Sequence, residues 1–368
     1  MNIPFVDLKT QYDSIKADID KSINEVIKET AFIKGKYVDK FEYDFAKSYG
    51  VKHVISCANG TDAIFIALKA LDIGMGDEVI TTASSWISTS ETITQAGAKV
   101  VFVDIEPEYF TIDIEKIEKK ITSRTKAIIP VHLYGHPANM TEIIKLADKY
   151  DLKVIEDCAQ AHFAKWDHKN VGTFGIIGTF SFYPGKNLGA YGDAGCIITD
   201  DDEVAYKARL YCNHGAIKKH FHKIEGINSR MDGIQAAILS TKLKYINKWT
   251  RLRLDNAKLY NNLFSSIGNV QSPKINVNAT HVFHLYVIKC NKRNDLAEFL
   301  KLHNIANAIH YPTPLPFLEA YRYLKCRQED FPVAFELKDK ILSLPMYPEL
   351  KKQEIEYICN KIDKFSKG

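Results

Sequence analysis

The sequence has little of what marks membrane proteins and nucleic-acid-binding proteins. No apolar run approaches the ~20 residues of a membrane-spanning helix, and the opening MNIPFVDLKT lacks the basic start and apolar core of a signal peptide. The formal net charge is only +4 over 368 residues, and no dense basic segment is present. We therefore expect a cytoplasmic globular protein whose partners are neither membranes nor nucleic acids.

Paired cysteines and regular metal-binding patterns are also missing. The seven cysteines are odd in number, and none of them forms a CxxC pair, so neither a disulfide framework nor a zinc ribbon is expected. Histidines are concentrated in NHGAIKKHFH, residues 213–222, but their spacing is irregular for a metal site. We interpret this segment as a loop that reaches a ligand or a second subunit, and the sequence predicts no metal.

What the sequence does contain is an alternation of short apolar segments with helical ones. Strands are predicted at 54–56, 78–82, 99–103, 127–131 and 153–155, and helices between them at 90–96, 114–121 and 140–150. This order predicts an α/β fold with a mostly parallel sheet covered by helices. Ligands bind such sheets at the carboxyl ends of the strands. Because GxGxxG and GxxxxGK[ST] are both absent, a nicotinamide or P-loop site loses support.

Further elements are predicted before and after this alternation, and together they indicate two domains. Further helices are expected at 12–30, at 41–49 before Gly50, at 232–264 and at 295–303, and a further strand is expected at 281–289. The long helical stretch at 232–264 is predicted to leave the first domain and enter a smaller one. The boundaries are therefore 1–245 for a large domain and 246–368 for a small C-terminal domain.

One lysine, Lys186, lies in the glycine-rich stretch SFYPGKNLGAYGDAG at residues 181–195. Glycine permits tight backbone paths and close approach to a ligand. A lysine held there away from water favours its neutral amine, which is the form that attacks a carbonyl. This chemistry is required for a Schiff base with pyridoxal 5'-phosphate (PLP). The alternative is an ordinary solvated surface lysine.

A candidate phosphate site precedes the first strongly apolar helix. Asn59-Gly60-Thr61-Asp62 follows the strand at 54–56, and a helix N-terminus offers unpaired N–H groups and a positive dipole end to an anion. Gly60 and Thr61 could supply two backbone donors and one hydroxyl. The alternative is a simple N-cap by Asn59 or Thr61.

Two further candidates follow strand ends. Trp86 comes just after the strand at 78–82, where it could stack on a planar ring or could be an ordinary buried tryptophan. Asp157 ends an apolar strand, where an unpaired carboxylate is costly. It could hold the protonated pyridine nitrogen of PLP, or it could cap the following turn.

Four motifs in this order resemble the sugar-nucleotide aminotransferases of the DegT/StrS group. They are Asn59-Gly-Thr-Asp-Ala, Glu156-Asp-Cys-Ala-Gln-Ala-His, the stretch 181–195 and Gly226-Ile-Asn-Ser-Arg-Met-Asp, and the likeness extends from Phe5-Val-Asp-Leu to Leu344-Pro-Met-Tyr-Pro. The resemblance implies the fold of type I PLP aminotransferases, with a seven-stranded, mostly parallel sheet sandwiched by helices and a smaller C-terminal α+β domain. It also implies a homodimer with active sites at the subunit interface.

The resemblance implies roles for the residues that match the motifs. Lys186 would form the Schiff base with PLP and then act as general acid and base, with pyridoxamine phosphate as the intermediate cofactor form. Asp157 would hold the pyridine nitrogen, Gln160 would contact the ring oxygen, and Trp86 would stack on the ring. Related dehydratases carry histidine in place of this lysine, so Lys186 favours transamination over removal of a hydroxyl.

The resemblance also implies ligands for the phosphate and for the sugar nucleotide. The implied phosphate ligands are Gly60, Thr61, Ser181 and, from the neighbouring subunit, Asn228. The residues implied for the sugar-nucleotide pocket are Tyr183, His310 and Tyr311. Two positions depart from the family pattern, which often has Thr or Ser in place of Gly185 and Phe in place of Tyr183.

The implied reaction transfers an amino group from an amino acid, L-glutamate, to a nucleotide-linked ketosugar. The motifs AQAH, GINSRMD, HVFHLYVI and HYPTPLP are most similar to the subgroup that converts dTDP-3-keto-6-deoxyhexoses to dTDP-3-amino-3,6-dideoxyhexoses for lipopolysaccharide O-antigen, S-layer or capsule glycans. The alternatives are a C4 aminotransferase, an aminotransferase for UDP-linked 3-keto sugars and an amino-acid aminotransferase. From other classes, a PLP-binding regulatory protein without turnover and a nucleotide-binding oxidoreductase remain open.

Overall fold

The architecture is a central sheet covered on both faces by helices, followed by a smaller sheet with helices of its own. The computed structural model describes residues 1–367. Up to the last strand of the central sheet, the helices and strands are α1 (Leu8–Ser14), α2 (Lys16–Lys28), α3 (Lys36–Tyr49), β1 (His53–Cys57), α4 (Gly60–Ala70), β2 (Glu78–Thr82), α5 (Ser88–Gln95), β3 (Lys99–Val103), α6 (Ile114–Ile117), β4 (Thr125–Ile129), α7 (Met140–Lys149), β5 (Lys153–Asp157), β6 (Lys165–Trp166), β7 (Lys169–Asn170), β8 (Ile177–Ser181) and β9 (Gly195–Thr199). The elements that follow are α8 (Asp202–Tyr211), α9 (Gly233–Leu243), α10 (Ile246–Phe264), β10 (Val270–Gln271), β11 (Ala279–Thr280), β12 (Tyr286–Cys290), α11 (Arg293–Leu302), α12 (Pro332–Leu337), β13 (Ile341–Leu344) and α13 (Lys352–Lys367).

Seven strands form the central sheet, in the order β1-β9-β8-β5-β4-β2-β3. From β8 to β3 neighbouring strands are parallel, whereas β9 is antiparallel to both β1 and β8. Several strands are buried along their whole length, as in β2 and β9, because helices cover both faces of the sheet. The prediction of a mostly parallel seven-stranded α/β sheet is confirmed.

Helices pack on both faces and bring one helix N-terminus to the carboxyl edge of the sheet. On one face α4, α5 and α8 share an apolar core with the strands, and on the other face α3 packs against α9. A β-carbon placed at Gly60, the first residue of α4, would lie 2.4 Å from the β-carbon of Ser181, the last residue of β8. The start of α4 and the end of β8 are therefore in direct contact.

Two predicted helices are interrupted. The helix expected at 12–30 is wrong in its bounds: α1 begins earlier because the Asp7 side chain accepts a hydrogen bond from the Thr10 N–H, and Ile15, with φ −128°, separates it from α2. The helix expected at 232–264 breaks between Leu243 and Ile246. By contrast, Gly50 ends α3 with φ 73°, the left-handed conformation that glycine adopts at helix ends.

The C-terminal part has its own small sheet, in the order β10-β12-β13, with α10, α11 and α13 packed on it. The strand expected at 281–289 is shorter than predicted and starts at Tyr286. Ile3 joins the same core, so the N-terminal arm packs on this part of the molecule. The segment 315–337 instead packs in the core of the central sheet. We propose the boundary between α9 and α10, at 245/246, as the point where the chain leaves the large domain.

No helix among residues 1–367 combines the length and the apolar composition that crossing a membrane requires. All seven cysteines lie within these residues and are free thiols, six of them buried. The buried cysteines are small core residues.

Candidate active site

The N-terminus of α4 forms a small polar cradle. The side chain of Asn59 accepts a hydrogen bond from the Asp62 N–H at 2.8 Å, so Asn59 is the N-cap. Of the two candidates for this cap, Asn59 fills the position and the hydroxyl of Thr61 pairs instead with that of Ser88 at 2.7 Å. The backbone N–H groups of Gly60 and Thr61 are in the first turn, where helical partners are lacking. Together with Ser181 beside them, they form a donor set that suits a phosphate.

Asp157 is held in a fixed orientation at the end of β5. It is buried, and its two carboxylate oxygens accept hydrogen bonds from the Thr89 hydroxyl at 2.7 Å and from the Ala159 N–H at 3.1 Å. The turn-capping interpretation of Asp157 therefore holds for one oxygen. Each carboxylate oxygen can accept a further hydrogen bond, so capping the turn is compatible with holding a cationic N–H.

Lys186 lies in the loop that joins β8 to β9. The loop folds back on itself, because the Lys186 N–H donates to the Tyr183 carbonyl at 2.8 Å and the Ala190 N–H donates to the Phe182 carbonyl at 2.8 Å. Burial lowers the pKa of the Lys186 amine to about 8, and the charge of Asp157 opposes this shift. The amine is thus desolvated and lies near the carboxylate, as the Schiff-base hypothesis requires.

Three imidazoles surround Lys186, and all of them favour the neutral form. Burial, assisted by the charge of Lys186, lowers the pKa of His162 to about 3 and that of His310 to about 4. The same two causes lower the pKa of His284 well below its usual value. No imidazolium therefore competes with Lys186 for the charge of Asp157 at neutral pH.

Gln160, just after β5, forms hydrogen bonds with two aromatic residues of the site, Tyr134 and Tyr311. Its carbonyl oxygen accepts the Tyr134 N–H at 2.7 Å, and its amide donates to the Tyr311 hydroxyl at 3.0 Å. The rings of Tyr311 and Trp86 lie 6.0 Å apart, centre to centre. Trp86 is 59% exposed, which contradicts the alternative of an ordinary buried tryptophan. An exposed indole beside the site is available to stack on a planar ligand.

The remaining candidate residues lie at the rim. His310 is partly buried: its Nδ1 pairs with the Ser343 hydroxyl at 2.8 Å, and its carbonyl accepts a hydrogen bond from the Tyr134 hydroxyl. Tyr183 is 59% exposed. Asn228 is also exposed, although the next residue, Ser229, is fixed by hydrogen bonds to the Ala58 N–H and the Asp62 carboxylate. Asn228 therefore points outward from a rigid base.

Sequence reasoning missed Thr89, Tyr134 and His284. Thr89 orients Asp157, Tyr134 contacts both Gln160 and His310, and His284 lies near Lys186. The hydroxyl-rich run Ser84-Ser-Trp-Ile-Ser-Thr-Ser after a buried strand was a signal for the first. His284 lies within the motif HVFHLYVI, but nothing in that motif indicated its proximity to Lys186. For Tyr134 no sequence signal was available, because its contacts with Gln160 and His310 depend on how distant segments of the chain meet.

His132, Glu156 and Cys158 form a buried cluster with the composition of a metal site. The Glu156 carboxylate is already used, because it accepts the N–H groups of Gly172, Phe174 and Gly175 at 2.7–2.8 Å and His132 Nε2 at 3.1 Å. His132 Nδ1 accepts the Ala138 N–H at 3.0 Å, and burial raises the pKa of the Cys158 thiol well above its usual value. The cluster is a hydrogen-bonded structural unit.

Lys186 is a partly buried residue, and the desolvation of its amine predicts an effect on stability that depends on pH. Its folded pKa of about 8 lies below the ordinary 10.5, so the unfolded chain binds more protons between these values and the free energy of unfolding rises with pH there. We expect Lys186→Met to stabilise the cofactor-free protein at pH 7 by about 1–3 kcal/mol. Urea unfolding measures this difference, which shrinks as the pH passes from 8 towards 10.5.

The matched control for this prediction is Lys126→Met, an exposed lysine on β4, which leaves stability within about 0.5 kcal/mol. A Lys186→Met protein no more stable than the parent at pH 7 would contradict the burial of the amine.

The residues fit PLP in each of its functional groups. The cradle at Gly60, Thr61 and Ser181 suits the phosphate, the oriented carboxylate of Asp157 suits a protonated ring nitrogen, and the desolvated amine of Lys186 suits the aldehyde. A substituent at Gly60 would collide with Ser181, which explains why glycine is required at this contact.

Comparison with protein families and curated proteins gives consistent results. The model of the DegT/DnrJ/EryC1/StrS aminotransferase family matches residues 13–363. A "Pleiotropic regulatory protein" from Geobacillus stearothermophilus is 46% identical over 99% of both chains. A "UDP-N-acetyl-3-dehydro-alpha-D-glucosamine 3-aminotranferase" from Acidithiobacillus ferrooxidans is 41% identical over 98% of this chain and 97% of its own. A "dTDP-3-amino-3,6-dideoxy-alpha-D-galactopyranose transaminase" from Aneurinibacillus thermoaerophilus is 40% identical over 99% of both.

A solved structure agrees with this pattern. The crystal structure described as S. venezuelae DesV in complex with a ketimine intermediate superposes with a TM-score of 0.98 at 34% identity, over 100% of this chain and 99% of that one. The likeness includes the central sheet, the smaller sheet and the loop that carries Lys186.

Proposed function

Because the chain belongs to the DegT/DnrJ/EryC1/StrS aminotransferase family, we propose that it is a PLP-dependent enzyme that transfers an amino group from L-glutamate to a nucleotide-linked ketosugar. The observation that carries this proposal is the desolvated amine of Lys186 beside the oriented carboxylate of Asp157 and the cradle at the start of α4. PLP, when bound, supplies an electron sink that stabilises negative charge on the carbon that carries the amine.

The residues of this chain would supply binding and proton transfer. Gly60, Thr61 and Ser181 bind the phosphate, and Asp157 keeps the ring nitrogen protonated through a charge-assisted hydrogen bond. The free amine of Lys186 would take the proton from the α-carbon of glutamate. In the second half-reaction the same amine would deliver a proton to the former carbonyl carbon of the sugar, which becomes the carbon that bears the amino group. Glutamate leaves as 2-oxoglutarate, and the ketosugar leaves as an aminosugar.

For the acceptor we propose a 3-keto sugar, and among these a dTDP-3-keto-6-deoxyhexose. The support is the motif likeness described above and the relative named a dTDP-3-amino-3,6-dideoxygalactose transaminase. A relative of similar identity is named for a UDP-linked 3-dehydro sugar. Both names specify position 3, so amination at C3 has more support than amination at C4, and the nucleotide is the main alternative.

The 46% identical relative named as a pleiotropic regulatory protein favours one further candidate, a PLP-binding regulatory protein without turnover. That candidate predicts cofactor binding to Lys186 but no exchange of amino groups. Its site would be the one described here, so the two functions differ only in what glutamate and sugar do to the bound cofactor.

A two-step absorption measurement tests the proposed reaction and its acceptor. We expect protein loaded with PLP to show the visible band of lysine-linked PLP, glutamate to remove this band, and dTDP-3-keto-6-deoxyhexose to restore it. UDP-linked 3-keto sugars, 4-keto sugars and 2-oxo acids are added separately for comparison. Restoration by a UDP sugar alone contradicts the proposed nucleotide, and a band that glutamate leaves unchanged supports the regulatory candidate.

We also propose that the enzyme is a homodimer in which Asn228 binds the phosphate in the partner's site. The support is its exposed position on a segment anchored by Ser229, beside the cradle of its own subunit. Exposed apolar side chains accompany it, among them Ile217, Phe221 and Ile224, as expected of a surface that a second subunit covers.

Mixed dimers test this arrangement. Lys186→Ala and Asn228→Asp homodimers are each expected to be inactive or nearly so, the second because a carboxylate repels the phosphate. If Asn228 acts in the partner's site, re-associating equal amounts gives heterodimers with one intact site, and we expect roughly a quarter of the parental activity. Activity that stays at the mean of the two variants contradicts the shared site.

A further inference from the structure

Lys242, in the last turn of α9, is a lysine buried in the interior next to the loop that carries Lys186. Its side chain is 0% exposed, and its Nζ donates a hydrogen bond of 2.8 Å to the carbonyl of Gly189. The same Nζ lies 4.2 Å from the centre of the Tyr191 ring. Burying an amine is costly unless its hydrogen bonds are satisfied, so a lysine at this position requires an explanation in terms of its partner.

The partner carbonyl belongs to a tightly folded part of the loop. A β-carbon at Gly189 would lie 2.3 Å from the carbonyl oxygen of Pro184, so the two arms of the loop are in contact on either side of Lys186. On the far side, the Asn187 amide donates to the Val282 carbonyl at 3.0 Å, and its oxygen lies 3.3 Å from His284 Nδ1. The loop is thus held at positions 187 and 189, immediately after Lys186.

A second buried cation fixes the segment to which Asn187 binds. Arg253 of α10 is 4% exposed, and its guanidinium donates to the carbonyls of Phe283 at 3.0 Å and Met346 at 2.8 Å. The charge of Glu349 acts on both Arg253 and Lys242, opposing the lowering of their pKa values by burial. The two cations thus lie within the electrostatic range of one carboxylate, and their hydrogen bonds hold the two segments that meet at Asn187.

We propose that Lys242 is a positioning residue for Lys186: its buried amine holds the Gly189 carbonyl and so fixes the loop in the conformation that directs the Lys186 amine towards Asp157. This inference rests on the proposed role of Lys186 as the reacting lysine. It assigns to Lys242 no contact with cofactor or substrate. Without Lys242 the loop keeps its anchor at Asn187 but loses the one at Gly189, and water gains access to the Lys186 amine.

The test measures the pKa of the Lys186 amine directly, in full-length protein from which the cofactor has been removed. Trace acylation with acetic anhydride at a series of pH values, followed by mass spectrometry of the peptide that contains Lys186, gives the pKa of this amine. The groups that face it are Asp157, His162, His284 and His310, and they are the same in every variant. We expect a pKa near 8 in the parent and a rise of at least about one unit in Lys242→Met, because the amine becomes solvated.

Two further variants make the test specific. Lys244→Met removes an exposed lysine two positions away and is expected to leave the labelling pKa unchanged. Lys242→Arg keeps a cationic donor and is expected to return the pKa most of the way to the parental value, which a general loss of packing would not do. Thermal melting establishes that each variant is folded at the labelling temperature. If Lys242→Met does not fold, Lys242→Arg and Lys242→Gln are compared with each other.

An unchanged labelling pKa in folded Lys242→Met, or an ordinary pKa in the parent itself, overturns the proposal. Neither result depends on substrate or cofactor, so either is distinguishable from a failure of the proposed reaction, which the two-step absorption measurement detects. A rise in Lys242→Met that Lys242→Arg reverses supports it.

Discussion

We expect the Lys186→Ala variant to lose transamination by a factor of about 10⁴ or more, because one side chain supplies both the covalent attachment and the proton transfer. The amine that does this is already desolvated in the folded protein, with a pKa of about 8. No neighbouring group can replace it, since the surrounding imidazoles of His162 and His310 have pKa values of about 3 and 4. The measurement is the rate of 2-oxoglutarate formation from glutamate in the presence of the acceptor sugar.

Chemical rescue provides the control for this variant. A small primary amine such as methylamine fits the space that the lysine side chain leaves and is expected to restore part of the proton transfer, with a rate that rises with amine concentration. The Lys126→Met protein keeps parental turnover. Turnover of Lys186→Ala within tenfold of the parent, without added amine, would refute the proposed mechanism.

The second large effect is expected for Asp157→Asn. The amide can still bond to either Thr89 or Ala159, so the turn persists, but it carries no charge to hold a protonated ring nitrogen. Loss of a buried charge partner costs about 3–5 kcal/mol, which corresponds to a decrease in kcat of roughly 10²-fold to 5 × 10³-fold. The measurement is a single turnover of PLP-loaded protein with glutamate, monitored by visible absorption, which isolates the first half-reaction.

Thr89→Val is the matched comparison for Asp157→Asn. It removes the 2.7 Å hydrogen bond that orients the carboxylate but keeps the charge, and the expected loss is about tenfold, the effect of one hydrogen bond to a charged group. Equal losses in the two variants would mean that orientation, and not charge, is what Asp157 contributes.

The fold was predictable where the local signal and the tertiary structure agree. β2 and β3 have the bounds expected from the sequence, Glu78–Thr82 and Lys99–Val103, because each is a short apolar run between turns. The break between Leu243 and Ile246 was not predictable, since apolar residues continue at helical spacing across it and no glycine or proline marks it. Lys242, beside the break, makes a tertiary hydrogen bond to the Gly189 carbonyl, a contact that the local sequence does not encode.

The residues of the candidate site also fall into those that the sequence predicted and those that it did not. Lys186, Asp157, Gly60 and Ser181 stand in contiguous motifs, and the structure brings them to one edge of the sheet. Thr89 reaches Asp157 across 68 positions of sequence, and Tyr134 reaches His310 across 176. Such pairs are set by the strand order, which a single sequence does not specify, so residues that orient the site are harder to predict than residues that react in it.

The hydrogen bonds of Glu156 also have a consequence for how the chain folds. This one carboxylate accepts hydrogen bonds from the N–H groups of Gly172, Phe174 and Gly175, and it lies 16 to 19 positions earlier, on β5. Until β5 is in its place these amides have only water as a partner. The conformation of this loop therefore depends on β5 being in place, because these three amides have Glu156 as their partner in the folded protein. The carboxylate of Glu156 thus couples the segment that precedes β8 to the strand that ends in Asp157.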